Sequence, residues 1–198
     1  MLSRNLIELV MDKTLKIDET ELAKLINISQ IQNYICKNYG ELEISSANES
    51  HINELGELWA NHAAIQQLSA PDRYDFKFVK QDWREFVRSK LNKKHHLLLI
   101  AQNKGEYEVK GFLYLQIITI PSSELILKGV IEDIYTKPQY RKQGIARMLL
   151  ETAVEWTMNN SIKNIDLITL NNAKDLSEFY SKFLQNPQNK VNLELVVF

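Results

Sequence analysis

Between Ile131 and Leu150 the chain changes its periodicity twice. Ile131-Glu132-Asp133-Ile134-Tyr135-Thr136 sets branched and aromatic residues at alternate positions and is closed off by Pro138, which predicts a strand. Ile145, Leu149, Thr152, Ala153 and Trp156 recur at three- and four-residue intervals, which predicts a helix. Between them lies Arg141-x-x-Gly144-x-Ala146. Small residues at two alternate positions let the backbone come close to a ligand. The loop also opens a helix, whose first amide hydrogens have no intrahelical partner and sit at the positive end of the dipole. Such a start holds phosphate, and Arg141 and Lys142 add formal charge, so the loop suits the pyrophosphate of a cofactor.

The loop is not a P-loop, because the Gly-Lys-Ser/Thr ending is missing, and G-x-G-x-x-G is absent too. It resembles the acetyl-CoA loop of the GNAT superfamily of N-acetyltransferases, whose pattern is Arg/Gln-x-x-Gly-x-Gly/Ala. The resemblance covers roughly residues 41–198. Ile-Glu-Asp-x-Tyr before the loop looks most like the diamine and polyamine acetyltransferases. The resemblance implies an α+β GNAT fold: a central mixed sheet flanked by helices, with residues 1–40 as an N-terminal helical extension and 41–198 as the acetyltransferase domain.

At 198 residues the chain is long enough for one domain with an appendage and a substantial core. A net charge of −1 gives no bulk electrostatic case for nucleic acid or an anionic membrane. The single cysteine, Cys36, excludes an intramolecular disulfide and fits a reducing cytoplasm. The start is broken by Glu8, Asp12 and Lys13, unlike a secretion signal. No apolar run approaches the roughly 20 residues needed to span a bilayer.

Residues 1 to about 40 read as helical, with partial stripes at Leu6, Leu9 and Val10 and at Leu22, Leu25 and Ile26. Glu21 to Ser29 resembles the first half of a helix-turn-helix, but a DNA-reading module needs a third helix and a basic face. An accessory helical pair is the plainer reading. Glu41 to Ser45 alternates as a strand, and Asn48 or Ser50 can cap a helix through Ile52, Leu55, Leu58 and Trp59 towards Ile65. Lys80 to Leu91 is a further helix, with Trp83, Phe86, Val87 and Leu91 on its apolar face. Leu97 to Ala101 reads as a buried strand, Asn103 to Glu106 as a hairpin turn with Gly105 at positive φ, and Val109 to Ile120 as a long strand. His95 and His96 have no further ligands at matching spacing, so they are strand-entry residues and no metal is expected. After the central strand and helix come a strand over Asn164 to Leu170, a helix over Ala173 to Leu184 and a last strand from Val191.

The resemblance also assigns roles. Ile134, Tyr135, Thr136, Arg141, Lys142, Gln143, Gly144, Ile145, Ala146, Arg147 and Asn172 become the acetyl-CoA contacts. Glu132 becomes the general base, or a group that only holds the cationic substrate. Tyr180 becomes the acid for the departing thiolate, its alternative being packing against the sheet. Alternation puts Glu132 and Asp133 on opposite faces, so that only one points into a cleft. His62 reads as a boundary histidine or as part of the acceptor site. Asp72 and Asp75, in a loop rich in charge and rings, can meet a cationic amine or simply face solvent. The expected activity is transfer of acetyl from acetyl-CoA to a primary amine of a small molecule, polyamine-like or other. The alternatives are a protein or peptide acceptor, and a non-catalytic CoA-binding regulator. No nucleic acid or membrane partner is expected, and a homodimer is left open. Lys142 and Ala146 stand where many members have Gly, the Gly-Phe after the last helix is missing, and only one strand seems to follow it.

Overall fold

A computed structural model describes residues 35–69, 82–91, 93–120, 126–169, 174–184 and 192–197. Its centre is a seven-stranded sheet in sequence order: β1 (Cys36–Tyr39), β2 (Leu42–Ser46), β3 (His96–Asn103), β4 (Gly111–Ile120), β5 (Ile126–Thr136), β6 (Asn164–Thr169) and β7 (Asn192–Val197). Neighbours from β1 to β5 are antiparallel. β5, β6 and β7 run parallel, and each parallel step needs a crossover helix. These are α3 (Ile145–Asn159) and α4 (Lys174–Leu184); α1 (Ile52–Ser69) and α2 (Trp83–Lys90) lie between β2 and β3.

The sheet begins at Cys36, inside the segment expected to be helical up to residue 40. Cys36-Lys37-Asn38-Tyr39 alternates too weakly to announce a strand. It pairs with β2, turns through Gly40 at φ 65°, and packs on α3 through Lys37 to Glu155 and Tyr39 Oη to Thr152 Oγ1 at 3.2 Å. The two stripes read before it lie outside the described residues.

Both sheet faces are covered, which is why β3 reads as a continuous apolar run. One face buries Leu97, Leu99, Leu113, Leu115 and Ile131 against Leu149, Ala153 and Trp156 of α3 and Tyr180 and Phe183 of α4. The other buries Leu98, Ile100, Phe112 and Tyr114 against Leu55, Leu58 and Trp59 of α1 and Val87 of α2. The Asn48 side chain caps a 3-10 turn (Glu49–His51) leading into α1 and accepts from the Ser50 amide at 3.0 Å. Asp82 caps α2 in the same way.

Two irregularities in β5 shape the cleft. Tyr114 faces Asp133 while Leu115 faces Ile131, so Glu132 is an extra residue, a β-bulge. Further on, β5 pairs with β6 only from Lys128 to Ile131, opposite Asn164 to Leu167. β6 continues along β7 to Thr169, so the stretch from Glu132 to Thr136 has no β6 partner and the two strands part. Among the described residues no helix is long and apolar enough to cross a membrane.

Candidate active site

The bulge corrects the expectation that Glu132 and Asp133 point to opposite faces. Strict alternation holds only where the ladder is regular, and one inserted residue resets it. Ile131 and Ile134 both enter the α3 core, while the acids between them turn towards α1 and α2. Asp133 Oδ2 accepts from Trp59 Nε1 at 3.2 Å, and its Oδ1 lies 3.0 Å from His62 Nε2. The Gln66 amide nitrogen lies 2.9 Å from the same ring nitrogen. Half-buried His62 packs edgewise on Phe112, at 6.1 Å between centroids, and against Tyr135 at 5.3 Å. It is therefore part of an interior cluster and not a boundary residue.

Glu132 sits beside this cluster, and burial pushes its carboxyl up to about 7, with the neighbouring Asp133 charge adding to the rise and Lys90 opposing it. Lys90, at the end of α2, is itself held below the usual lysine range by burial, while Glu132 and Asp133 pull it back up. Tyr114 donates or accepts at His96 Nδ1, 3.0 Å away, and donates to Gln116 Oε1 at 3.2 Å. Burial and both acids push its phenol above the ordinary range, and burial drives His96 down to about 3. His96 is thus a neutral strand-entry residue, and among the described residues no group of three or more His, Cys, Asp and Glu is placed to hold a metal ion.

The loop after β5 has the geometry of an anion cradle. Pro138–Tyr140 makes a 3-10 turn, then Lys142 takes φ 61° and Gly144 φ 83° before α3 begins. A Cβ on Gly144 would be strained by that φ and would stand 3.3 Å from Met148 Cε. Arg141, Lys142, Gln143 and Gly144 are exposed, and no side chain caps the helix. Arg141 Nε donates to the Thr136 carbonyl at 3.2 Å, which folds its side chain back along the strand end. Ile145 is buried in the core, so only its backbone can face a ligand, and the same holds for the buried side chains of Ile134 and Tyr135. Arg147 is paired with Glu151 at 2.8 Å, and the Gln143 amide donates to the Gln139 carbonyl at 3.3 Å. Ala146 is partly buried against the core. The Thr136 hydroxyl has no hydrogen-bond partner among the described residues.

The turn is pinned from below. Lys137 Nζ donates to Glu54 of α1 and Glu108, each at 2.9 Å, and Tyr140 Oη donates to Glu108 Oε2 at 2.7 Å. Tyr180, on α4, is 1% exposed, and burial together with the Asp133 charge pushes its phenol above the ordinary range. It thus lies within electrostatic reach of the acid cluster although its helix covers the opposite face of the sheet. Asp72, Asp75 and Asn172 lie outside the described residues.

The structure brings His62 and Asp133 into contact, sets Glu132 beside them at the bulge, and leaves Tyr180 buried in the core on the other face of the sheet, with the Arg141 loop at the end of β5. Sequence reasoning missed Asp133 as a member of the cluster, and with it Trp59, Lys90 and Tyr114. Trp59 and Tyr114 carried only an apolar signal. Lys90 carried one readable hint, a cation at the end of an amphipathic helix whose next residue, Leu91, is buried.

A mixed sheet that opens beside a glycine-started helix is the layout of the GNAT fold. Residues 59–184 match the acetyltransferase (GNAT) family, and the chain belongs to that family as an N-acetyltransferase. Solved structures share the fold. A ribosomal-protein-alanine N-acetyltransferase from Brucella melitensis biovar Abortus 2308 is 18% identical, with 71% of this chain and 89% of that one covered at a TM-score of 0.54. A predicted acetyltransferase with acetyl-CoA from Clostridium acetobutylicum is also 18% identical, over 77% and 96%, at 0.57. A transcriptional regulator from Bacillus halodurans C-125 is 19% identical, over 74% and 94%, at 0.60. No curated protein sequence matches this one.

Proposed function

We propose that this N-acetyltransferase moves an acetyl group from acetyl-CoA to a primary amine of a small molecule, polyamine-like or other, by direct attack in a ternary complex. The observation that carries the reading is Glu132. It is a largely buried carboxyl with a pKa of about 7, placed by a bulge at the point where the sheet opens.

The residues present fit acetyl-CoA. The exposed Arg141–Gly144 turn, the uncapped start of α3 and the freed edge of β5 together offer donors to a long, diphosphate-bearing molecule. When bound, acetyl-CoA supplies the acetyl group as an activated thioester. Arg141 and Lys142 hold the diphosphate by charge, and the amides around Gly144 to Arg147 hold it by hydrogen bonds. Backbone groups of Ile134 to Thr136, left without a β6 partner, orient the arm that carries the acetyl. An amide of that edge stabilises the negative charge that develops on the carbonyl oxygen.

Glu132 takes a proton from the substrate ammonium, directly or through one water. A base with pKa near the working pH combines a useful ionised fraction with enough basicity. Asp133, fixed by Trp59 and His62, stays in place as the negative wall of the site and helps hold the cationic amine. Tyr180 keeps its proton at neutral pH, because burial pushes its phenol upwards, and the family pattern assigns it the donation to the leaving sulfur. Asn172 is the residue to which the family pattern assigns a CoA contact, and the lone Cys36 suits the cytoplasm as the place of reaction.

The test is CoA release with a panel of primary amines. Turnover of small amines supports the reading. Turnover confined to peptide amines moves the acceptor, and acetyl-CoA binding without turnover of any amine sinks the mechanism built on Glu132 and Tyr180.

A further inference from the structure

Lys90 belongs to the helix that packs on the sheet face carrying Trp59, Tyr114 and the acid pair. It ends α2, is half-buried, and its Nζ lies 5.0 Å from the centroid of the Phe86 ring and 5.2 Å from that of Tyr114. Tyr114 is the strand partner of Asp133, so the ammonium is held against the residue that faces the bulge. Lys90, Glu132 and Asp133 are within electrostatic reach of one another. Two aromatic faces cradle the ammonium, which the ring quadrupoles attract. Beyond Lys90 a shallow groove continues past Lys93, His96 and Ser46, and among the described residues none that lines it is acidic. The Tyr114 to His96 hydrogen bond ties this groove to the site. The acceptor side is therefore polar in the electrical sense, with carboxylates at the bulge and lysines beyond it.

We infer that Lys90 selects the acceptor: the site takes a primary amine whose molecule also carries a carboxylate, with the amine at Glu132 and the carboxylate towards Lys90 and the groove. This rests on the small-molecule amine reading and narrows it. A diamine of the same length would bring a second ammonium against Lys90, and like charges facing each other in a partly desolvated site are costly. A lysine suits the task because its charge sits on a flexible stem and can follow carboxylates at slightly different reach.

The experiment compares kcat/KM for ω-amino carboxylic acids and for diamines of matching chain length, in the wild type, Lys90→Met and Lys90→Glu. The wild type is expected to favour the amino acids by about tenfold or more. Lys90→Met, which keeps the apolar stem over Phe86 and Tyr114, is expected to lose most of that preference. Lys90→Glu is expected to turn it towards the diamines. Acetyl-CoA affinity should stay the same in all three, which separates selection of the acceptor from loss of fold. Should Lys90→Glu not fold, the wild-type ratio and Lys90→Met decide alone. A wild-type preference for diamines, or a ratio indifferent to Lys90, overturns this inference and leaves the small-molecule amine reading standing. Acetyl-CoA binding without turnover of either class overturns both.

Discussion

In the proposed mechanism Glu132 is the base, and its environment makes opposite demands on activity and stability. Acting as a base, it must be ionised, so kcat/KM should rise about tenfold per pH unit below about 7 and level off above it. Glu132→Gln should lower kcat by ~100-fold or more and remove that limb of the profile, measured by steady-state CoA release. Stability runs the other way. The folded pKa lies above the ordinary 4.5, so the native state holds a proton that the unfolded chain has already lost. Stability from this group is complete below about 4.5 and falls as pH rises to about 7. Discounted for partial solvent screening, the loss is on the order of 2 kcal/mol. Glu132→Gln should therefore melt higher than the wild type at pH 8 and show little difference near pH 5. Tyr180→Phe should lower turnover with little change in acetyl-CoA affinity. Unchanged turnover would leave Tyr180 as a packing residue of the α3 core.

The strand, turn and helix around Gly144 act as one element, and they were the part most legible in the sequence. The periodicity switch, the closing proline and the small residues all report local backbone needs, which a sequence states directly. Gly105 takes the positive φ expected of it, Gly144 takes one as well, and the predicted stripe of Ile145, Leu149, Thr152, Ala153 and Trp156 is buried. The bulge was not legible. Whether Glu132 is paired or extra depends on the register against Tyr114 and Leu115, a long-range property with no local marker. That one slip decides that Asp133 joins Glu132 and that Trp59 and His62 have a partner. Gly144→Val tests the element: a branched residue at φ 83° should cost about 1 to 2 kcal/mol and weaken acetyl-CoA binding, read by calorimetric titration. Binding as tight as wild type would mean that the turn does not grip the diphosphate.

Across the molecule, the sheet divides the labour. The α3 and α4 face supplies most of the apolar burial among the described residues, while the α1 and α2 face carries the acids, His62 and Lys90. The layout from β2 to β7 was readable because both buried faces leave strong apolar runs. β1 was not, since a short edge strand with Lys37 and Asn38 needs little hydrophobic signal to pair. A chain starting at Ile35 should keep acetyl-CoA binding, whereas one starting at Glu41 should melt lower for want of β1 and its contacts with Glu155 and Thr152, as thermal denaturation will show. The meeting of those two faces at the mouth of β5 is the core of this account, and the pH dependence of CoA release with a small primary amine probes it directly. The account predicts an acidic limb centred near 7 in the wild type that is absent in Glu132→Gln. A limb that survives the substitution unaltered, at undiminished rate, would contradict it.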